Sequence, residues 1–266
     1  MGFSIPADAE IALRLGVFVT VFAALALWEQ AAPARARRLP VGVRWRANLG
    51  LALLNTLLLR VALPGSALAL AALAADEGWG LLNRFELPAW VAVAAGVVAL
   101  DLVIYFQHVL FHSVPALARL HAVHHADPDF DLTTGIRFHP LEIALSTAIK
   151  FAAIAALGAP VLAVLIFEVL LNATAMFNHA NASLPGWLEP WVRRVLVTPD
   201  MHRTHHSVIE AERNSNYGFC LSVWDRMLGT YTPAPHGELD IGLATQRDPA
   251  VNATLQGVLR MPFDRT

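Results

Sequence analysis

The sequence predicts an all-α, integral-membrane helical bundle of about four to five spans with a His-rich cytoplasmic cap. Three observations carry this. Apolar residues make up 56% of the 266 positions and charged ones only 15%, with a mean hydropathy of +0.50, outside the usual range of a soluble domain. The apolar residues gather in runs long enough to cross a bilayer. Eleven histidines are present, and most fall between His108 and His206, beside the ends of those runs. The formal net charge of −2 gives no field that would favour nucleic acid, so no nucleic-acid partner is expected. Cys220 is the only cysteine, which excludes an intramolecular disulfide and a Cys-rich zinc site.

The first apolar run covers residues 11–28. Asp8 and Glu10 precede it without any Lys or Arg, the wrong charge for a secretory leader. Arg35, Arg37, Arg38, Arg44 and Arg46 follow it, which puts this segment in the cytoplasm and the N-terminus outside. The second run, residues 47–74, is long for one crossing, so a kink is expected at Pro64, with Arg60 facing protein or snorkelling. A polar link at 76–86 then lies outside. The third run, 88–112, returns to the cytoplasm, carries Asp101 within the span and ends in His108 and His112. The fourth, 143–177, is too long for one simple crossing, and Gly158-Ala159-Pro160 divides it. It reads as a hairpin of two short helices that goes out and comes back. From about Trp187 the chain is mixed, as expected of loops and short helices lying against the membrane.

The histidine spacing carries the chemistry. His108 and His112 are four apart at the end of a predicted helix, so their rings share one face. H-A-V-H-H supplies His121, His124 and His125, and H-R-T-H-H repeats the pattern with His202, His205 and His206. Eight imidazoles exceed what one four-coordinate metal uses and suit two metals close together. Imidazole accepts Zn, Cu, Fe or Ni, so ligand type does not select the metal. His139 and His179, on either side of the hairpin, are further candidates, since the hairpin returns both to the same face. Asp101 and Glu142 are candidates to accept from a metal-bound ring, Glu142 toward His139, with Asp101 equally read as pairing with Arg60 or backbone inside the bundle, and Tyr217 to line the site. The acidic trio Asp127, Asp129 and Asp131 reads as a turn and helix cap.

Taken together, H-x-x-x-H, H-x-x-H-H, a histidine after the hairpin and a second H-x-x-H-H resemble the fatty acid hydroxylase and sterol desaturase superfamily. NSNYGFCLSVWDRMLGTY (214–231) is similar to that family's closing signature, and R-F-H-P-L-E resembles its sterol-desaturase members. The resemblance spans about residues 95–232, which implies a di-metal domain there, preceded by an N-terminal transmembrane region at 1–94 and followed by a tail at 233–266. It implies a membrane-bound, non-haem di-iron enzyme, a monooxygenase or desaturase that oxidises lipid or sterol-like C–H bonds with O2. The ligands it implies are His108, His112, His121, His124, His125, His179, His202, His205 and His206, with His139. Two iron ions are the implied cofactor, with zinc able to substitute. Some members carry a further histidine where Asn181 and Ser183 stand here, which leaves the ligand count at one metal open. The 266 residues show no cytochrome b5-like domain, so electrons are expected from a separate protein. The expected location is a bacterial inner membrane with the histidines on the cytoplasmic side. The competing readings are a membrane zinc hydrolase, which would ordinarily show an H-E-x-x-H motif that is missing here, and a metal transporter, which would spread its ligands through several spans.

Overall fold

The computed structural model describes residues 6–62 and 65–264. Its first seven helices are α1 (Ala7–Ala31), α2 (Val41–Ala62), α3 (Ala67–Asp76), α4 (Ala89–Ser113), α5 (Pro115–His125), α6 (Pro140–Leu157) and α7 (Val161–Asn178). Short helices follow: α8 (Glu189–Val192), α9 (Pro199–His205), α10 (Glu210–Arg213), α11 (Val223–Leu228), α12 (Pro249–Asn252) and α13 (Leu255–Arg260). Among the described residues there is no strand, only two isolated bridges. Five segments are long and apolar enough to cross a membrane: α1, the α2–α3 segment, α4, α6 and α7. Pro64, the expected kink, lies outside the described residues. The second run is nevertheless two helices on either side of it.

The hairpin forms where the sequence places it, for a local reason. Gly158 caps α6 with φ +64, a left-handed conformation that a side chain disfavours. Pro160 then caps the start of α7. The core lies between α3, α4, α6 and α7, where Ala67, Leu68, Leu100, Ile104, Ile154 and Phe167 pack together. Opposite faces leave Leu53, Leu57, Val61, Phe106 and Leu170 exposed, as a lipid-facing surface requires. Trp79 and Trp90 are exposed at the far end of α4, and Trp187 and Trp191 in the cap segment after α7. Tryptophan favours membrane–water boundaries because its ring is apolar and its N–H polar.

A buried polar lattice joins the spans to the cap. Arg44 is fully buried at the start of α2. Its Nε and Nη2 donate to Asp127 at 2.7 and 2.6 Å, and its Nη1 donates to Asp131 at 2.5 Å. Asn48, one turn on, donates to Thr133 and accepts from Arg137, and Arg137 also donates to the Val123 carbonyl. The sequence reading of Asp127, Asp129 and Asp131 as a turn alone is therefore incomplete. Asp131 does shape the turn, accepting from Thr133, but it and Asp127 are also the counter-charges of Arg44. Arg44 beside it holds Asp127 down to a pKa of about 2, against the pull of burial. Glu29, near the end of α1, accepts from the backbone N–H groups of Leu132 and Asn181.

Two outcomes test this architecture. Arg44→Met leaves two buried carboxylates without their cation, and such a loss costs about 3–5 kcal/mol. The thermal midpoint in detergent should fall well below the wild-type value. Reporters fused after residues 46, 131 and 206 should all report the same side of the membrane. Opposite sides for 131 and 206 would remove the α6–α7 hairpin.

Candidate metal centre

Four helix ends deliver the histidines to one place. His112 sits in the last turn of α4 and His108 one turn before it, and His121, His124 and His125 lie at the end of α5. His179 caps the C-terminus of α7, while His202 and His205 lie on α9 and His206 caps it. Rings three or four residues apart share a helical face. The C-terminal placement also turns helix dipoles of negative sign toward the cluster, which favours a cation.

The nine rings separate into two groups. His108, His112, His121, His125 and His205 form one, and His124, His179, His202 and His206 the other. Within each group, one ligand atom per residue lies within 4.8 Å of every other. All are buried except His112, which is half-buried. His179 Nε2 lies 3.0 to 3.2 Å from the Nε2 atoms of His124, His202 and His206. His125 and His112 meet the same way at 3.2 Å. Two ring nitrogens so close need a shared proton or a shared cation.

Protons are disfavoured. Burial pushes His179 down to a pKa of about 3. Burial, reinforced by neighbouring imidazoles, holds His124, His125, His202, His205 and His206 well below the usual histidine value. Neutral rings with converging lone pairs are what a metal ion takes. The Nε2 atoms of His108, His121 and His205 are buried without a protein partner, as ligands awaiting a metal would be.

The opposite edges of four rings are held by the chain, while the Nδ1 atoms of His124, His125, His202 and His206 are buried without a protein partner. Nδ1 of His108 donates to the Tyr217 carbonyl at 2.8 Å, and Nδ1 of His205 to the Ser215 carbonyl at 2.7 Å. His179 Nδ1 donates to the Ala175 carbonyl at 2.7 Å, and His121 Nδ1 to Glu142 Oε1 at 2.6 Å. Each bond fixes the tautomer that leaves Nε2 as the free lone pair. The N-S-N-Y-G segment earns its place here. Asn216 adopts φ +54, and its side chain donates to the carbonyls of Met201 and Thr232. Asp225 accepts from the N–H groups of Tyr217 and Gly218. The carbonyls of Ser215 and Tyr217 are thereby aimed at two histidines. Gly135 is also required, since a Cβ there would meet the Ala175 carbonyl at 2.3 Å and His179 Nδ1 at 3.2 Å.

A sequence model of the fatty acid hydroxylase family matches residues 93–230, more than half of the chain. The chain belongs to the fatty acid hydroxylase family. It is 31% identical over 175 residues to ornithine lipid hydroxylase OlsE of Rhizobium tropici, covering 65% of this chain and 50% of that one. Against alkylglycerol monooxygenase of Xenopus tropicalis it is 31% identical over 160 residues, 58% of this chain and 34% of that one. Against cholesterol 25-hydroxylase of Rattus norvegicus it is 30% identical over 142 residues, 52% and 46% of the two. The chain thus spans half or less of the length of these relatives. No solved structure matches it.

Three sequence expectations for this family member need correction. His139 is in neither histidine group. It caps α6, its Nδ1 accepting from the Leu141 N–H and its Nε2 facing the Leu259 carbonyl at 3.3 Å, so both nitrogens are already engaged. Glu142 does hold a ring, but that of His121 instead of His139, whose two nitrogens are engaged by the Leu141 N–H and the Leu259 carbonyl. Asp101 touches no histidine and does not pair with Arg60. It accepts from the N–H groups of Cys220 and Leu221 and from Trp224 Nε1 at 2.8 Å, fastening the closing segment to α4. Tyr217 packs its ring edge-on against His108, and its carbonyl does the holding. At the position of the missing histidine, Asn181 bonds the backbone of Arg35 in both directions, and Ser183 donates to Asp200. Phe138, missed from sequence, stacks on His124 at 4.5 Å. The R-F-H-P-L-E motif was the signal that could have found it.

An apolar cavity of about 800 Å³ reaches the first group from the membrane side. His108 and His121 form part of its wall, with Phe18, Leu53, Ile104 and Met176 among its apolar lining. Arg14 and Glu168 also line it and pair with one another, and Glu168 pairs with Lys150 as well.

The histidine shifts set a pH dependence. An imidazole whose folded pKa lies below its unfolded 6.5 binds fewer protons folded than unfolded. Stability is then full above about pH 6.5 and falls as the pH drops toward 3. The thermal midpoint should decline between pH 7.5 and 5, with the largest loss below 6.5. A midpoint that rises over that range would contradict neutral, buried rings.

Proposed function

We propose that the chain hydroxylates C–H bonds of a membrane lipid or sterol-like molecule, using O2 and two iron ions held by the two histidine groups. The observation that carries this is the contact between an apolar, membrane-facing cavity and the buried lone pairs of His108 and His121. His108, His112, His121, His125 and His205 would hold one ion, and His124, His179, His202 and His206 the other. Iron held there would supply the activation of O2 that oxidises an unactivated C–H bond. The relatives' names support a lipid or sterol substrate, as they describe hydroxylation of an ornithine lipid and of cholesterol, and an alkylglycerol monooxygenase.

The chain's own contribution is positioning and exclusion of water. The cavity wall takes up an apolar chain, whose transfer from water is favourable by about 25 cal/mol per Å² of apolar area. Phe138, Phe130 and Tyr217 pack against the rings and keep bulk water from them. The carbonyls of Ala175, Ser215 and Tyr217 and the carboxylate of Glu142 hold four rings in the orientation that exposes Nε2. Electrons come from a separate donor protein in this reading. The site lies at the cytoplasmic face of a bacterial inner membrane, consistent with the Arg35–Arg46 segment packing on the same side as the histidines.

Elemental analysis of the purified chain tests the metal assignment. Wild type from iron-replete cells should hold about two irons per chain. His124→Ala and His205→Ala should each lower that content and abolish O2-dependent lipid turnover. His236→Ala should do neither, because His236 is exposed and bonds only Glu212. Equal iron in all three variants would overturn the ligand sets. Two zincs would call for iron reconstitution followed by an O2-consumption assay.

A further inference from the structure

Most polar side chains on the cavity wall are bonded within the protein, with Arg60, which is exposed, outside any ion pair among the described residues. Gln107 and Ser146 bond one another. Arg14, Lys150 and Glu168 form their own ion pairs, and Thr56 donates to the Ala52 carbonyl. Among buried side-chain atoms without a protein partner, seven are histidine ring nitrogens of the metal centre. Of the remainder, two belong to residues that line the cavity: Asn55 Oδ1 and Glu142 Oε2. Both residues are more than nine-tenths buried, at 6% and 4% exposure. Their other polar atoms are committed. Asn55 Nδ2 donates to the Phe138 carbonyl at 2.9 Å, which fixes the amide so that the oxygen is the unpaired end. Glu142 Oε1 accepts from His121. The two residues flank one short segment, since Phe138 precedes Glu142 by four positions and stacks on His121 and His124.

Two buried acceptors without donors are costly, and each such group requires a partner. Both oxygens accept and neither donates, so the partner must carry N–H or O–H groups. We infer that Asn55 Oδ1 and Glu142 Oε2 form a subsite for a hydroxyl or ammonium group of the substrate, close to the carbon that is oxidised. The inference rests on the oxidative reading of the same site and narrows its substrate class. A plain hydrocarbon or a fully alkylated headgroup leaves both oxygens unpaired, whereas a lipid with a free hydroxyl or amine satisfies them. The donor also fixes the register of the apolar chain against His108 and His121, so these two residues act on specificity and on the position of oxidation.

The test uses the iron-loaded chain in phosphatidylcholine nanodiscs, with metal content measured on the same sample. Two probe pairs are titrated: 1-O-hexadecylglycerol against its 2,3-dimethyl ether, and hexadecylamine against hexadecyltrimethylammonium. Each pair keeps the chain and removes the donors. At least one donor-bearing probe should bind about tenfold more tightly than its methylated partner, the yield of one hydrogen bond to a buried acceptor. The pair that shows the preference separates hydroxyl from ammonium recognition. E142Q keeps an acceptor for His121 and places an amide N–H where Oε2 stood, so it should erase the preference and improve binding of the dimethyl ether. Asn55→Leu should reduce the preference with metal content unchanged. Equal binding within both pairs by iron-loaded wild type would overturn the subsite. Donor preference in a chain that holds no metal would keep the subsite and overturn the oxidative reading, so the two failures are distinct.

Discussion

Nine imidazoles in one buried volume cannot be stabilised by apolar packing. Each brings two nitrogens out of water, and each nitrogen left without a partner costs free energy comparable to a lost hydrogen bond. The fold answers on the far side of four rings, those of His108, His121, His179 and His205, with carbonyls and a carboxylate, and on the near side with converging lone pairs suited to metal ions. Much of the cap exists to supply the first half of that answer. Asn216 and Asp225 shape the loop that presents two carbonyls, and Asp101 ties that loop to α4.

The same constraint explains the lattice around Arg44. A cap built from short helices and loops has little apolar area with which to resist disorder. Charge-assisted bonds from one guanidinium to Asp127 and Asp131 fix the loop after α5 and the start of α2 together. With the Asn48 and Arg137 bonds added, the lattice is buried, and Arg137 Nη2 is its one guanidinium nitrogen without a protein partner. A lattice of this kind gives a unique arrangement, and a partial one is worse than none. The α6–α7 hairpin completes the design by returning His179 to the face that α4 reaches with His108 and His112.

The cavity ties chemistry to the membrane. Its wall comes from α1, α2, α4, α6 and α7, the segments long and apolar enough to cross a membrane, and it reaches His108 and His121 of the first histidine group. On the same wall stand Asn55 and Glu142, and an ion pair of Arg14 with Glu168.

The sequence by itself determined the all-α class, the spans, the hairpin and nine histidines that fall into the two groups. These are legible because hydropathy runs and H-x-x-H-H spacing are local patterns, set by the bilayer thickness and the helical period. It did not determine which ring each acceptor serves. His139 resembled a ligand by its neighbours, yet it caps a helix. Asp101 resembled a ring acceptor by its position on α4, yet it holds a loop 119 residues away. Arg44 resembled one more charge of a cytoplasmic run, yet it is the buried hub of the cap. Only the tertiary structure decided these, because a hydrogen bond depends on where two distant segments meet, and backbone carbonyls such as those of Ser215 and Tyr217 leave no residue-specific mark in the sequence.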